Sequence, residues 1–343
     1  MRSNRVAVFT APRRVELRDE PIPELSRGEV LVQIRACALC TMEQRLWQGS
    51  QNEYPIAAGH EAAGVVVAAH AEGTLGVTTG QRAAIAFLDR CMQCDACRRG
   101  DTHLCIGKLR DRRPNTFRRI GGLADYAVVP AWKLFPMPDD CSFDEIALCE
   151  PLACVIHSIN KASLQFGDDV FVVGCGTMGL MHVALARLRG ARVFVSDPDP
   201  QKRRVAIDQG ATAAFDPSAV AQGIRESTRS GGADAVFVTY GNQDTVDQAG
   251  VVVRPGGRVI FYGNFPPGVA TGIDARRLHH EELVVTGARG QTLEDWRQAS
   301  RLLARKLVDV RPLVSSRYPL ERITEALDHA SSGSAYRIVV NPS

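Results

Sequence analysis

Asp169-Val170-Phe171-Val172-Val173-Gly174-Cys175-Gly176-Thr177-Met178-Gly179 is the stretch that decides the fold. Its first half is a short apolar run closed by glycine, which reads as a buried strand. From Met178 to Arg189 the pattern is helical. Between them, Gly174 allows a tight turn, Gly176 lets the backbone approach a pyrophosphate, and Gly179 lets helix and strand pack closely. The helix start offers N–H groups and the positive end of a dipole to phosphate. A bare G-x-G-x-x-G match is weak, but strand before and helix after supply the context that identifies a dinucleotide turn. Asp197 ends the next strand, 191–196, eighteen residues beyond Gly179. A carboxylate there accepts from a ribose 2′-hydroxyl and repels a 2′-phosphate, which predicts NAD over NADP. Arg203 and Arg204 lie close enough to soften that preference. Read without a ligand, the same residues are a glycine-rich turn with Asp197 capping a helix. Strand, turn, helix and acid in that order favour the nucleotide. The cofactor-binding candidates are Gly174, Gly176, Thr177, Met178, Gly179 and Asp197.

Working outward, the pattern downstream alternates: helix 200–209, strand 233–238, helix 244–253, strand 258–262 and a last strand at 283–287. Such alternation implies a parallel, doubly wound sheet, so the fold class is α/β. Residues from about 290 to 343 hold two helices and a final strand, 336–340, expected to return to the first half. Upstream, β-branched runs at 5–10 and 30–35 flank turn-forming Pro and Gly, a short helix follows Cys40, and further strands follow to 129. The first 150 residues therefore read as a β-rich, partly barrel-like domain. The expected division is 1–150 with 290–343, and 151–289.

The chain of 343 residues exceeds one ordinary core. Its 45% apolar and 23% charged residues are those of a globular protein. No apolar run reaches the roughly 18 residues of a membrane span, no signal-peptide core opens the chain, and a cytoplasmic location is expected. A net charge of +3 gives no reason to expect nucleic acid. Ten cysteines in such a chain point to metal or redox chemistry rather than disulfides. Cys91-x2-Cys94-x2-Cys97-x7-Cys105 matches a tetrathiolate zinc site with no open position, hence a structural one. An iron–sulfur cluster is the alternative for such spacing.

Cys40, His60, Glu61 and the segment Cys149-Glu150-Pro151-Leu152-Ala153-Cys154-Val155-Ile156-His157 remain. Taken singly, each has an ordinary reading as buried thiol, core histidine or surface charge. Together with Gly59-His60-Glu61-x2-Gly64, the four-cysteine lobe, Glu150-Pro151-Leu152-Ala153 and the glycine turn with Asp197, they resemble the zinc-containing medium-chain dehydrogenase/reductase family, the alcohol and polyol dehydrogenases. The resemblance covers essentially the whole chain. It implies a GroES-like catalytic domain carrying a structural zinc lobe (about 90–106), plus a Rossmann NAD-binding domain. It further implies two zincs per chain, the catalytic one on Cys40, His60 and Glu61. The remaining place falls to Glu150, as in polyol-type members, or to Cys154; the Glu150-Pro151-Leu152 pattern favours Glu150. His157 is left a structural or cofactor-side residue.

By the same resemblance the substrate is a small secondary alcohol or its ketone, of the polyol, sugar, cyclitol or amino-alcohol class, and the protein is a homodimer or homotetramer. Two departures stand out. Cys40-Thr41-Met42-Glu43 puts methionine where family members carry a proton-relaying hydroxyl, and Glu43 where an aspartate orients the ligand histidine. Thr41, Glu43, Glu61 or water would then carry the proton. Met42 also motivates the alternative of a catalytically silent cofactor-binding protein; a carbonyl reductase on the same fold is another. The second departure is the basic stretch Arg110 to Arg119, which reads as a solvated loop or, more sharply, as a contact for an anionic substrate.

Overall fold

The computed structural model describes residues 3–51, 54–74, 76–87, 90–106 and 121–342. The basic stretch 110–119 lies outside them. Two units divide the chain: Met1–Ala153 with Thr292–Ser343, and Cys154–Gln291.

The hub of the first unit is the strand Glu29–Ala38, whose Val30, Val32 and Ile34 alternate into the core. It pairs antiparallel with Glu61–Ala69, Tyr126–Pro130 and Arg337–Asn341. The full sheet has seven strands, with Val314–Pro319 parallel to Arg337–Asn341 at one end and Arg82–Ala86 and Leu134–Pro136 at the other. A second sheet of three strands joins Arg14–Pro21, Ser3–Ala11 and Ile56–Ala57. The register of the hub strand sets which residues meet at its end. Ala38 faces Glu61 on one side and Val339 on the other. The N–H of Leu39 donates to the Ile338 carbonyl, which carries the pairing to the edge of Cys40.

The second unit is a six-stranded, wholly parallel sheet in the order Ala213–Phe215, Arg192–Ser196, Asp169–Val173, Ala233–Val238, Val253–Phe261, Val284–Gly287. Its central strand Asp169–Val173 is buried along its length, as expected where helices cover both faces. The core is built from Phe171, Phe194, Val236, Val238 and Val259. The strand order turns outward from Asp169–Val173 in both directions, which is the switch point where such sheets bind ligands. Both units have the β-rich and doubly wound character expected, α/β overall. Among the described residues no helix is long and apolar enough to cross a membrane.

Candidate active site and cofactor turn

Cys40 caps the helix Thr41–Gln48, and its position follows from the strand that ends two residues earlier. Glu43, at the third helical position, turns back and accepts from the Cys40 N–H at 3.0 Å. Its other oxygen accepts from Gly59 N–H at 3.1 Å and lies 3.0 Å from His60 Nδ1. An ionised carboxylate only accepts, so Nδ1 carries the proton and Nε2 is left free to ligate. The longer side chain thus reaches the histidine that the resemblance assigned to an aspartate. Burial alone would raise the Glu43 carboxyl, but His60 and the backbone N–H groups of Glu43 and Gly59 hold it below its ordinary range.

Around that ring, Cys40, Glu43 and His60 bring ligand atoms within 4.8 Å of one another, and so do His60, Glu61 and Glu150. Glu150 comes from the first turn of the helix Cys149–Ala162. Glu61 opens the strand Glu61–Ala69 and is fully buried. Both its oxygens are taken by Arg337, Nη2 to Oε1 at 2.8 Å and Nε to Oε2 at 3.0 Å. Burial pushes the Glu61 carboxyl up to about 7 against the pull of Arg337, and the Glu150 carboxylate adds to the rise. Burial likewise raises the Cys40 thiol, with Glu61 contributing. A soft thiol, an oriented imidazole and two carboxyls brought close together make a donor set that suits zinc. Cys154 belongs to the other unit, where its Sγ donates to Gln291 Oε1 at 3.4 Å. Thr41 is exposed at the helix start, and Met42 packs partly buried on the core of Phe9, Leu46 and Trp47.

Arg337 is the site residue that the sequence did not disclose. Its only signal is a lone arginine in the apolar run Arg337-Ile338-Val339-Val340. The register explains it: past the small Ala38, the guanidinium reaches Glu61 two strands away.

Cys91, Cys94, Cys97 and Cys105 also converge within 4.8 Å. Backbone N–H groups of Cys97 and Ile106 pull the Cys94 thiol down to about 6, and those of Gln93 and Cys94 lower Cys91. Cys97 goes the other way, to about 12, through burial and then the neighbouring sulfurs. Two thiolates are prepared by the backbone, while the accumulation of four needs a cation.

In the second unit Gly174 has φ +98°, and a Cβ on Gly179 would stand 1.9 Å from the Gly174 carbonyl oxygen. Both glycines are demanded by the turn itself. Gly176 is different: φ is −73° and a Cβ would meet nothing within 4 Å. The space over it is open where phosphate would approach the start of the helix Thr177–Leu188, so this turn fits a dinucleotide. Asp197 follows the strand Arg192–Ser196; its Oδ2 accepts from Cys175 N–H at 2.8 Å and Oδ1 from Asp199 N–H at 2.9 Å. Arg203 is bound to the carbonyls of Asp197 and Pro198 and to Asp216, and Arg204 to Asp208.

Comparison with known proteins places this geometry. The family model described as zinc-binding dehydrogenase matches residues 177–305, and that described as alcohol dehydrogenase GroES-like domain matches residues 26–139. L-threonine 3-dehydrogenase of Chromobacterium violaceum is 30% identical over 348 residues, covering 98% of each chain. L-galactonate-5-dehydrogenase of Escherichia coli K12 is 28% identical over 337 residues, covering 96% of this chain and 95% of that one. A zinc-binding dehydrogenase structure from Sinorhizobium meliloti 1021, bound to NADP, superposes with a TM-score of 0.89 at 28% identity over 100% of both chains.

Proposed function

Since the chain belongs to the zinc-containing medium-chain dehydrogenase/reductase family, we propose that it is a zinc- and NAD-dependent dehydrogenase of a small secondary alcohol of the polyol, sugar, cyclitol or amino-alcohol class. The observation that carries this reading is the Glu43-oriented His60 with Cys40, Glu61 and Glu150 gathered about it. Cys40, His60, Glu61 and Glu150 would hold one zinc, and Cys91, Cys94, Cys97 and Cys105 a second. Zinc supplies a Lewis-acid position that makes a bound hydroxyl easier to ionise, and NAD supplies the hydride acceptor. Glu43 fixes the tautomer of His60. Arg337 balances the charge of Glu61. With Met42 turned to the core and Glu43 committed to three donors, the substrate proton leaves by another group or by water.

NAD is favoured because Asp197 borders the turn with lone pairs to spare, while Arg203 is spent on carbonyls and Asp216. The two dehydrogenase relatives act, by their names, at position 3 of threonine and position 5 of galactonate, consistent with an internal hydroxyl. Metal analysis with a panel of secondary alcohols and both nucleotides tests the reading. Two zincs per chain and NAD-linked turnover that chelation abolishes are the expected result. Two zincs bound with no turnover of any alcohol, or turnover with NADP alone, would overturn it.

A further inference from the structure

One pair of reactive side chains lies together outside the metal-binding groups. Lys306 follows the helix Leu293–Ala304 and its cap Arg305, with φ 54°, the left-handed conformation that favours glycine just past a helix. A lysine there carries backbone strain that glycine would avoid, and strain of this kind points to a use for the side chain. The amine is held by three acceptors. Nζ lies 3.0 Å from the Asp140 carbonyl, 3.1 Å from Cys141 Sγ and 3.6 Å from Glu145 Oε1. The sulfur also donates to the Leu303 carbonyl at 3.7 Å, so both partners are fixed against the end of the same helix. Cys141 is only 1% exposed, but the Lys306 side chain that touches it is 43% exposed, so the pair lies one side chain from solvent.

We propose that Cys141 and Lys306 form a peroxide-sensitive modification site that closes into a covalent nitrogen–oxygen–sulfur bridge. The separation of 3.1 Å suits this product. One inserted oxygen nearly spans it, whereas a direct nitrogen–sulfur bond requires the two segments to close further. First, sulfur attacks hydrogen peroxide: an S–O bond forms, the O–O bond breaks, and a sulfenic acid and water result. Cys141 is the largest of the groups that raise the Lys306 amine above its ordinary range. Its conversion to sulfenic acid removes that rise, and the amine, exposed to solvent, gives up its proton to water. The free amine is then oxidised by a second peroxide: an N–O bond forms, O–O breaks, and a hydroxylamine and water result. Finally the hydroxylamine oxygen attacks the sulfenic sulfur, and the S–OH group leaves as water with the hydroxylamine O–H proton. Thiol, amine and two peroxides give the bridge and three waters.

The test treats the zinc-loaded wild-type chain with hydrogen peroxide and maps its peptides by mass spectrometry. The expected product joins the peptides of Cys141 and Lys306, at their summed mass plus one oxygen less two hydrogens. A thiol reductant should reverse it. Cys141→Ser and Lys306→Gly should both lack it, and the glycine suits the backbone conformation, so that variant folds. Recovery of Cys141 as free thiol while other cysteines oxidise, as sulfinic acid with Lys306 unmodified, or as a direct link lighter by two hydrogens would each overturn the proposal.

Discussion

Glu43 acts through His60 rather than on substrate. Glu43→Gln keeps the shape but removes the charge that fixes the Nδ1 proton, so zinc affinity or kcat/KM should fall roughly 10–100-fold; zinc content and steady-state rates check it. Arg337 works at the same scale on the other side of the site. Arg337→Ala strands the buried Glu61 carboxylate, and breaking such a pair costs roughly 3–5 kcal/mol. Denaturant unfolding of the variant should show a loss of that order. The contest between Glu150 and Cys154 is settled by counting metal. Glu150→Ala should lose one zinc and Cys154→Ser none; the reverse pattern would return the ligand to Cys154. Residues of the site were legible unevenly. Cys40, His60 and Glu61 carry chemistry in their types and stand in recognisable neighbourhoods. Arg337 does not, because its partner is 276 positions away and only strand register joins them.

At the scale of elements, the glycine turn separates two reasons for having no side chain. Gly179→Ala drives a Cβ into a backbone carbonyl and should destabilise the fold. Gly176→Ala meets only open space, so the variant should fold with an unchanged melting temperature yet bind NADH more weakly in a fluorescence titration. Equal damage from both would remove the argument for phosphate at Gly176. The strand and helix flanking this turn were legible because an unbroken apolar run, a glycine turn and a helical pattern follow one another directly. Others were not. The strand Ala213–Phe215 is three residues long. The edge strand Val314–Pro319 alternates between exposed and half-buried, with no apolar run to announce it. The helix Cys149–Ala162 was hidden by Pro151, yet proline in a first turn sacrifices no internal hydrogen bond.

For the whole molecule, stability should vary with pH through His182. It is fully buried, its Nδ1 donates to the Met178 carbonyl at 2.7 Å, and its Nε2 accepts from Ser158 Oγ at 3.0 Å. Burial lowers it from 6.5 to about 4. The unfolded chain therefore binds a proton that the folded chain refuses between those values. Stability is complete above about pH 6.5 and falls as pH drops toward 4, by up to about 3 kcal/mol from this group. His182→Leu should flatten that part of the curve; parallel melting curves for both proteins from pH 7 to 4 would refute it.

The first unit encloses a strand that the ribosome delivers late. Arg337–Asn341 lies between Val314–Pro319 and Glu29–Ala38, inside the seven-stranded sheet. Residues 154–291, by contrast, contain every strand of their own sheet. During synthesis the second unit can therefore finish while the earlier-made half still waits, its hub strand unpaired on one side at Cys37 and Ala38. Until that gap closes, Glu61 lacks its arginine. The nascent chain thus has an exposed interval, from the emergence of residue 69 to that of residue 341, in which a chaperone or an intruding strand competes with its own C-terminal segment.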